Sequence, residues 1–361
     1  MARFIDVFED VTRKGTKIST NLYLENGQYP IIDQGQSEIA GYTNEKNGLF
    51  ADVPAIIFGD HTRIVKYIDS PCFLGADGVK LLKAKDTNAN YKYLYYALCN
   101  VDIPDTGYNR HFKWLKEIDL PDHTAEEQRK IVDQLEDIDS LISLRKQQLS
   151  KLDELVKARF VELFGDLRIN EKEWDIKTFS ELAEIITDGE HSTPRRVEKG
   201  IYLLSARNVL NHSLQLDDVD YIDEDEYSRI SKRIIPRKGD VLISCSGTVG
   251  RCCSVPDDLK FQMVRSVAIV RFKNIINPIF AEYMITSDYL QEQINGSKTM
   301  SSQANLFQGK IAKLRGFVPP IELQEKFVSF VEQTDKSKLA IQKSLEKLET
   351  MKKALMQKYF G

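Results

Sequence analysis

Arginines, amides and hydroxyls gather in a few short loops of this chain. Arg251 closes Gly247-Thr-Val-Gly-Arg251, Arg195 and Arg196 follow His191 and Thr193, and Arg207 and Asn208 end Ser205-Ala-Arg-Asn208. A guanidinium matches guanine with two parallel donors, an amide matches adenine, and cations and hydroxyls hold phosphate. Ser246 and Thr248 lie in the loop before Arg251, and Gln303 and Asn305 follow further on. The corresponding set in the first half is His61, Thr62 and Arg63, then Asn109, Arg110, His111 and Lys113. The competing use of each is a surface ion pair or a loop cap.

Other chemistries lack their residues. Gly247-Thr-Val-Gly-Arg251 has no Gly-Lys-Ser/Thr ending, so it is not a nucleotide cradle, and a translocase loop is missing. The acidic run Asp217 to Glu226 has no ligand spacing and reads as a solvated loop. Cys72, Cys99, Cys245, Cys252 and Cys253 form no CxxC pair and have no histidine at ligand spacing. Asn277-Pro-Ile-Phe280 departs from an adenine-methyltransferase motif at its third residue, and Asp257-Asp258-Leu-Lys260 is too compressed for a nuclease metal site. The expectation is a chain without catalytic residue, metal or cofactor.

These loops hang on two copies of one unit. Gln128 to Gly165 and Gln324 to Gly361 align without a gap, and 12 of 38 paired positions are identical, including Asp139/Asp335, Leu149/Leu345, Leu152/Leu348 and Phe164-Gly165/Phe360-Gly361. A fixed internal period sets the architecture before any local motif does. Thr124, three residues before Glu127, announces the first helix as a capping box. Its seam runs Ile131, Leu135, Ile138, Ile142, Arg145, Leu149, Leu152, Val156, Arg159, Leu163. The second reads Phe327, Val331, Thr334, Lys338, Ile341, Leu345, Leu348, Lys352, Leu355, Tyr359. Both hold heptad phase, the coiled-coil signature, and polar entries in one copy fall where the other is apolar, so the two helices are expected to pack on each other. At about 1.5 Å per residue, 38 residues make a rod of roughly 57 Å.

The 361 residues then divide into a first globular region (1–118), a central helix (119–168), a second globular region (169–317) and a final helix (318–361), an α+β organisation. Strands are expected at Tyr29–Asp33, Pro54–Phe58, Ile64–Ile68 and Gly78–Leu82, with a helix at Tyr91–Cys99. The second region has strands at Ile201–Leu204, Asp240–Ile243 and Val267–Arg271 and a helix at Pro278–Ser287. Net charge is −1, −4, −1 and +2 over the four segments. A free-standing DNA binder would be basic, so DNA contact must come from local patches or be shared with a basic partner. The first 20 residues carry charges where a secretory peptide needs an apolar core, and no run suits a membrane span; the cytoplasm is the expected location.

With these pieces in order, the chain resembles the DNA-specificity subunits of type I restriction-modification systems. The resemblance rests on the duplicated helices ending in Lys-Ala-x(5)-Phe-Gly, on Tyr29-Pro-Ile-Ile-Asp-Gln-Gly35 with Ile39-Ala-Gly-Tyr42, and on Phe58-Gly-Asp-His-Thr-Arg63 and Gly75-Ala-Asp-Gly78. The second half adds Asp188-Gly-Glu-His191 with Thr193-Pro194, and Gly239-Asp-Val-Leu-Ile-Ser-Cys-Ser-Gly-Thr-Val-Gly250.

The resemblance implies two mixed α/β target recognition domains, each reading one half of a split double-stranded DNA target. It implies an antiparallel coiled coil that fixes the gap and docks modification (methyltransferase) subunits, two per chain. Restriction/translocase subunits complete such complexes, whose adenine methylation and endonuclease activities reside outside this subunit. Two readers on a rigid rod touch DNA at a fixed separation, so the spacing becomes a property of the protein. The alternative is a coiled-coil adaptor that binds proteins without DNA specificity.

Overall fold

The computed structural model describes every residue except Ala76, Asp105, Tyr108, Asp257, Asp258 and 298–304, together with the Ser297 side chain. The chain forms two compact units, Met1–Gln148 with Ile341–Gly361, and Leu149–Ala340.

The first unit runs β1 (Ala2–Arg3), α1 (Phe4–Val7), β2 (Phe8–Asp10), β3 (Tyr29–Ile32), β4 (Gly41–Thr43), β5 (Ala55–Gly59), β6 (Val65–Ile68), β7 (Phe73–Leu74), β8 (Val79–Ala84), α2 (Tyr91–Cys99), α3 (Phe112–Leu115), β9 (Asp119–Leu120) and the start of α4 (Ala125–Phe164). A four-stranded sheet in the order β2-β8-β5-β6 accompanies a three-stranded one, β4-β3-β7, whose β3 and β7 are parallel. β5 (Ala-Ile-Ile-Phe-Gly) is buried throughout, the unbroken apolar run of a central strand. β1 pairs with β9, tying the first residues to the strand that leads into α4.

The second unit runs β10 (Asp175–Thr178), α5 (Phe179–Leu182), β11 (Ala183–Asp188), β12 (Ile201–Leu204), β13 (Val209–Leu210), β14 (Ser213–Leu214), β15 (Asp220–Ile222), α6 (Glu224–Ser231), β16 (Val241–Ser244), β17 (Cys252–Ser254), β18 (Phe261–Met263), β19 (Val267–Phe272), α7 (Pro278–Thr286), α8 (Asp288–Ser297), α9 (Gln308–Ile311), β20 (Arg315–Val318) and the start of α10 (Ile321–Phe360). Its sheets, β11-β19-β16-β17 and β15-β12-β18 with β12 and β18 parallel, repeat the first unit strand for strand. β10 pairs with β20 as β1 pairs with β9. The duplication therefore covers the sheet framework of each unit, to which the second adds the β13-β14 hairpin, although only the helices retain clear identity.

The acidic run at 217–226 departs from the solvated loop expected of it. Asp223 accepts the Glu226 N–H at 2.9 Å and caps α6, whose first turn holds Glu224, Asp225 and Glu226. Carboxylates at a helix N-terminus satisfy its free N–H groups and oppose its dipole, so the acids start a helix.

α4 and α10 each span 40 residues. Thr124 and Glu127 exchange backbone and side-chain bonds at the start of α4. The repeated glutamine has a matching duty at both starts. Gln324, fully buried, donates to the Ile275 and Pro319 carbonyls and accepts from Asn277 N, while Gln128 donates to the His123 carbonyl. Each helix is thus pinned to the loop that precedes it.

Within each unit the two helices run antiparallel. In the first, Lys352 meets Asp139 at 2.5 Å, Tyr359 meets Gln134 at 2.8 Å and Lys146 meets Glu349 at 3.4 Å. In the second, Lys338 meets Asp153 at 2.7 Å and the Phe160 and Phe327 rings lie 5.3 Å apart. Of the seam, Ile131, Leu135, Ile138, Val156, Phe327 and Val331 are buried. Ile142, Leu149, Leu152, Ile341, Leu345, Leu348 and Leu355 are half-buried. The polar entries Lys338 and Lys352 find carboxylates on the facing helix, so each serves as a register mark rather than an unpaired charge.

Candidate nucleic-acid interface

In the first unit, Gln34 gathers three loops. Its amide donates to the Asp77 carbonyl at 3.0 Å and accepts from His61 N at 3.1 Å, and its own carbonyl accepts from the Thr62 hydroxyl at 2.7 Å. Asp60, buried behind this loop, accepts from Phe112 N at 2.8 Å through its carboxylate and from His111 N through its carbonyl. The β5–β6 turn and the segment leading into α3 are locked together, and the His61 ring reaches the Asn109 carbonyl at 3.2 Å.

These bonds sort the candidate residues. Thr62, Asn109, Arg110 and Lys113 are exposed and His61 is half-buried. His111 is 1% exposed, its ring held between the Asp60 carbonyl and Thr106, so it is a buttress of the loop and reaches no outside ligand in this conformation. Arg63 has φ 62°, and its guanidinium donates to the Ile103 carbonyl at 3.0 Å. A non-glycine residue in the left-handed region needs such support from its surroundings.

In the second unit, loops after β11, β16 and β18 enclose a cleft of about 920 Å³, lined by His191, Thr193, Arg196, Ser246 and Asn305 among others. Gly189 lets two walls meet: a Cβ there would lie 2.3 Å from the Met263 carbonyl oxygen. The β16–β17 turn places Gly247 and Gly250 at positive φ and is closed by the Ser244 hydroxyl, which donates to the Thr248 carbonyl and accepts from Arg251 N. Thr248 is left exposed at its tip.

Most of the arginines here are already engaged. Arg195 pairs with Asp223, Arg196 with Asp220, and Arg207 with Asp218 and Asp220. Arg251 turns inward to the Ala206 carbonyl at 3.0 Å. Asn208 is fully buried, capping Ser205 and donating to the Gln215 and Asp218 carbonyls, so it shapes its loop from within. Gln303 lies outside the described residues, as do Asp257 and Asp258.

Acidic groups in the cleft are likewise spoken for. Asp188 binds His191 and Arg233, and Glu190 binds Ser192 and Arg229. The Ser192 hydroxyl and then the Arg229 guanidinium hold the Glu190 carboxyl below its ordinary range, and Arg229 does the same for Glu226. Among the described residues no cluster of three His, Cys, Asp or Glu side chains is arranged to hold a metal ion.

Two residues that shape these loops are not among the candidate contact residues of the sequence. Gln34 is a hub whose role lies in contacts 27 to 43 positions away, invisible to local pattern. Arg265 is exposed, lines the cleft, and sits between the apolar strands β18 and β19; a lone arginine at such a turn was the available signal.

Other motifs have structural uses. Asn277 caps α7 by accepting from Ile279 N, with Pro278 at the first helical position, which accounts for Asn277-Pro-Ile-Phe280. Burial pushes the Cys72 thiol up to about 11 and Cys245 up to about 12, and Cys252 well above its ordinary value, so these are protonated thiols at neutral pH. No helix among the described residues is long and apolar enough to cross a membrane.

Comparisons with known proteins agree with this layout. Residues 2–154 and 171–350 each match the type I restriction modification DNA specificity domain. The type I restriction enzyme EcoR124I/EcoR124II specificity subunit of Escherichia coli is 23% identical over 335 residues, covering 87% of this chain and 81% of that one. The fold is similar to that of a type I restriction-modification S subunit from M. genitalium, with TM-score 0.61, 17% identity and coverage of 99% and 95%. It is also similar to a chain solved in work on complex assembly and conformational transition of the type I R-M system, with TM-score 0.57, 15% identity and coverage of 99% and 96%. Matched twice along its length, once for each unit, the chain belongs to the type I restriction-modification DNA-specificity family.

Proposed function

We propose that each unit reads one half of a split double-stranded DNA target and that α4 and α10 set the gap between the halves. The observation that carries this reading is the pairing of a repeated fold with unrepeated loops. The order of the two main sheets is the same in both units, while their loops carry His61, Thr62, Asn109, Arg110 and Lys113 in one and His191, Thr193, Ser246, Thr248 and Arg265 in the other. A shared frame with different polar tips is what two half-sites of different sequence require.

The chain supplies the address, and methyl transfer or cleavage falls to partner subunits. Two modification subunits docked by the helices, one per half-site, suit the duplicated design. The net charge of −4 supports shared binding, because a protein neutralising many phosphates alone would be basic. Restriction subunits join the same assembly for cleavage.

The test is to express the chain with its modification subunits and map methylated bases across the host genome. A split motif with a constant gap is expected. A continuous motif, or methylation that does not depend on the chain, would refute the reading.

A further inference from the structure

Resting on that reading of the second unit, we propose that Arg265 is the specificity-determining residue of its cleft and recognises a guanine in the second half-site. It differs from the arginines around it in having nothing to release. Arg195, Arg196, Arg207, Arg229 and Arg233 all pair with carboxylates, and Arg251 is spent on a backbone carbonyl. Among the described residues Arg265 has no ion-pair or side-chain hydrogen-bond partner, yet it is exposed and lines the cleft. A paired arginine must give up its carboxylate before it meets a base, whereas Arg265 carries no such cost.

Its backbone is held from three sides. Arg265 N donates to the Glu190 carbonyl at 3.0 Å, Ser266 accepts from Cys245 N through its carbonyl at 2.8 Å, and the Ser266 hydroxyl accepts from Ala206 N at 3.0 Å. The turn therefore joins the loops after β11, β12 and β16. A reading group on a fixed base loses less freedom on binding than one on a mobile loop. The carboxylates of Asp188 and Glu190 are paired with Arg233 and Arg229, so they leave the cationic fork of Arg265 uncancelled. Guanine is the base that presents two adjacent acceptors to such a fork.

The first unit carries an independent sign that this turn varies with target. Gly75 N donates to Ile32 O and Asp60 N to Gly78 O, as Val264 N donates to Leu204 O and Cys245 N to Ser266 O, so the β7–β8 and β18–β19 turns correspond. Between these anchors the second unit has Arg265 alone, and the first has two residues, Ala76 and Asp77, of which Asp77 pairs with Lys17 at 2.8 Å. A turn that differs in length and charge within a repeated fold suits two units with different base preferences.

The experiment maps methylated motifs in hosts carrying the chain or its Arg265→Ala or Arg265→Lys variant, each with its own modification subunits. Arg265→Ala should lower the preference for guanine at one position of one half-site roughly ten- to hundred-fold, with the other half-site and the gap unchanged. Arg265→Lys, which keeps the charge but loses the fork, should show the same relaxed position. An unchanged motif in Arg265→Ala overturns the proposal while leaving the split-target reading intact. So does a loss of methylation at all sequences alike, or full selectivity in Arg265→Lys, since either makes Arg265 a phosphate anchor or a structural group. A parent chain without a split motif would instead sink the reading on which the proposal rests.

Discussion

Phe360, at the end of α10, packs its ring 5.3 Å from that of Tyr93 in α2 of the first unit. Phe164, its counterpart at the end of α4, lies 4.8 Å from Phe280 in α7 of the second unit. Each long helix therefore starts against one aromatic helix and finishes against the other. The repeated Phe-Gly ending is the anchor of this exchange: Phe164 is 1% exposed inside a cluster with Phe160, Phe280 and Phe327. The first unit is accordingly assembled from two stretches of chain, Met1–Gln148 and Ile341–Gly361.

Removing each anchor should loosen the unit where its ring sits. Phe164→Ala should cost about 3–5 kcal/mol, the usual loss for a buried phenylalanine, and half-buried Phe360 roughly half as much. Hydrogen exchange would locate the effect, with faster exchange in α7 for Phe164→Ala and in α2 for Phe360→Ala. The reverse assignment would contradict the exchanged packing.

The register of the helices should depend on Asp139 and Lys352. Their 2.5 Å contact lies beside the Tyr96 hydroxyl, which donates to Asp139 at 2.9 Å. Asp139→Lys places two cations together and leaves Tyr96 without its acceptor, so it should destabilise by about 1–3 kcal/mol. Combining it with Lys352→Asp should recover part of that, with a coupling on the order of 1 kcal/mol in a double-mutant cycle. No recovery would mean that the two positions do not face each other in solution.

Alkaline pH should weaken the fold. Burial raises the Cys72 thiol from its ordinary 9.0 to about 11 and Cys245 to about 12. A thiol that resists ionisation in the folded state adds stability that is whole below the unfolded value near 9. That stability is lost as pH rises towards the folded value. Each thiol should contribute a fall of about 1.4 kcal/mol per pH unit within its window. Urea unfolding at pH 8 and pH 10 measures this, and Cys72→Ala should reduce the drop; an identical drop in that variant would remove Cys72 as its source.

The long helices were legible because periodicity is a local property: seam spacing, the Thr124–Glu127 cap and the constant offset of the repeat all lie within a few turns of chain. The strands at Ala55–Gly59 and Val267–Phe272 were legible as apolar runs for the same reason. The site was less so. Arg196, Arg207 and Arg265 look alike in sequence, and only the fold brings Asp220 to the first two and leaves the third alone. His111 and Asn208 have the chemistry of readers, but burial converts their donors into supports for the loops. Which side a polar loop residue faces is decided by partners such as Gln34, far away in the chain.

The gap between half-sites should follow the length of the helix pair. Since α4 and α10 pack antiparallel, a spacer must be added to both, for example one heptad after Gln148 and one after Ala340. Seven residues keep the hydrophobic phase and add roughly 10 Å, or about three base pairs at 3.4 Å each. Slack between the helices and the globular regions would reduce this to one or two. A heptad in α4 alone has no partner on α10 and must loop out, so it should leave the gap unchanged or abolish methylation. Four residues in both helices shift the seam as a stutter and should lengthen the pair less cleanly. Half-site bases should remain those of the parent, because the loops around Gln34 and Arg265 are untouched. Methylation mapping of the parent and the three insertions, with the same modification subunits, decides the matter. An active double-heptad variant with the parental gap, or with different half-site bases, would show that the helices do not set the spacing.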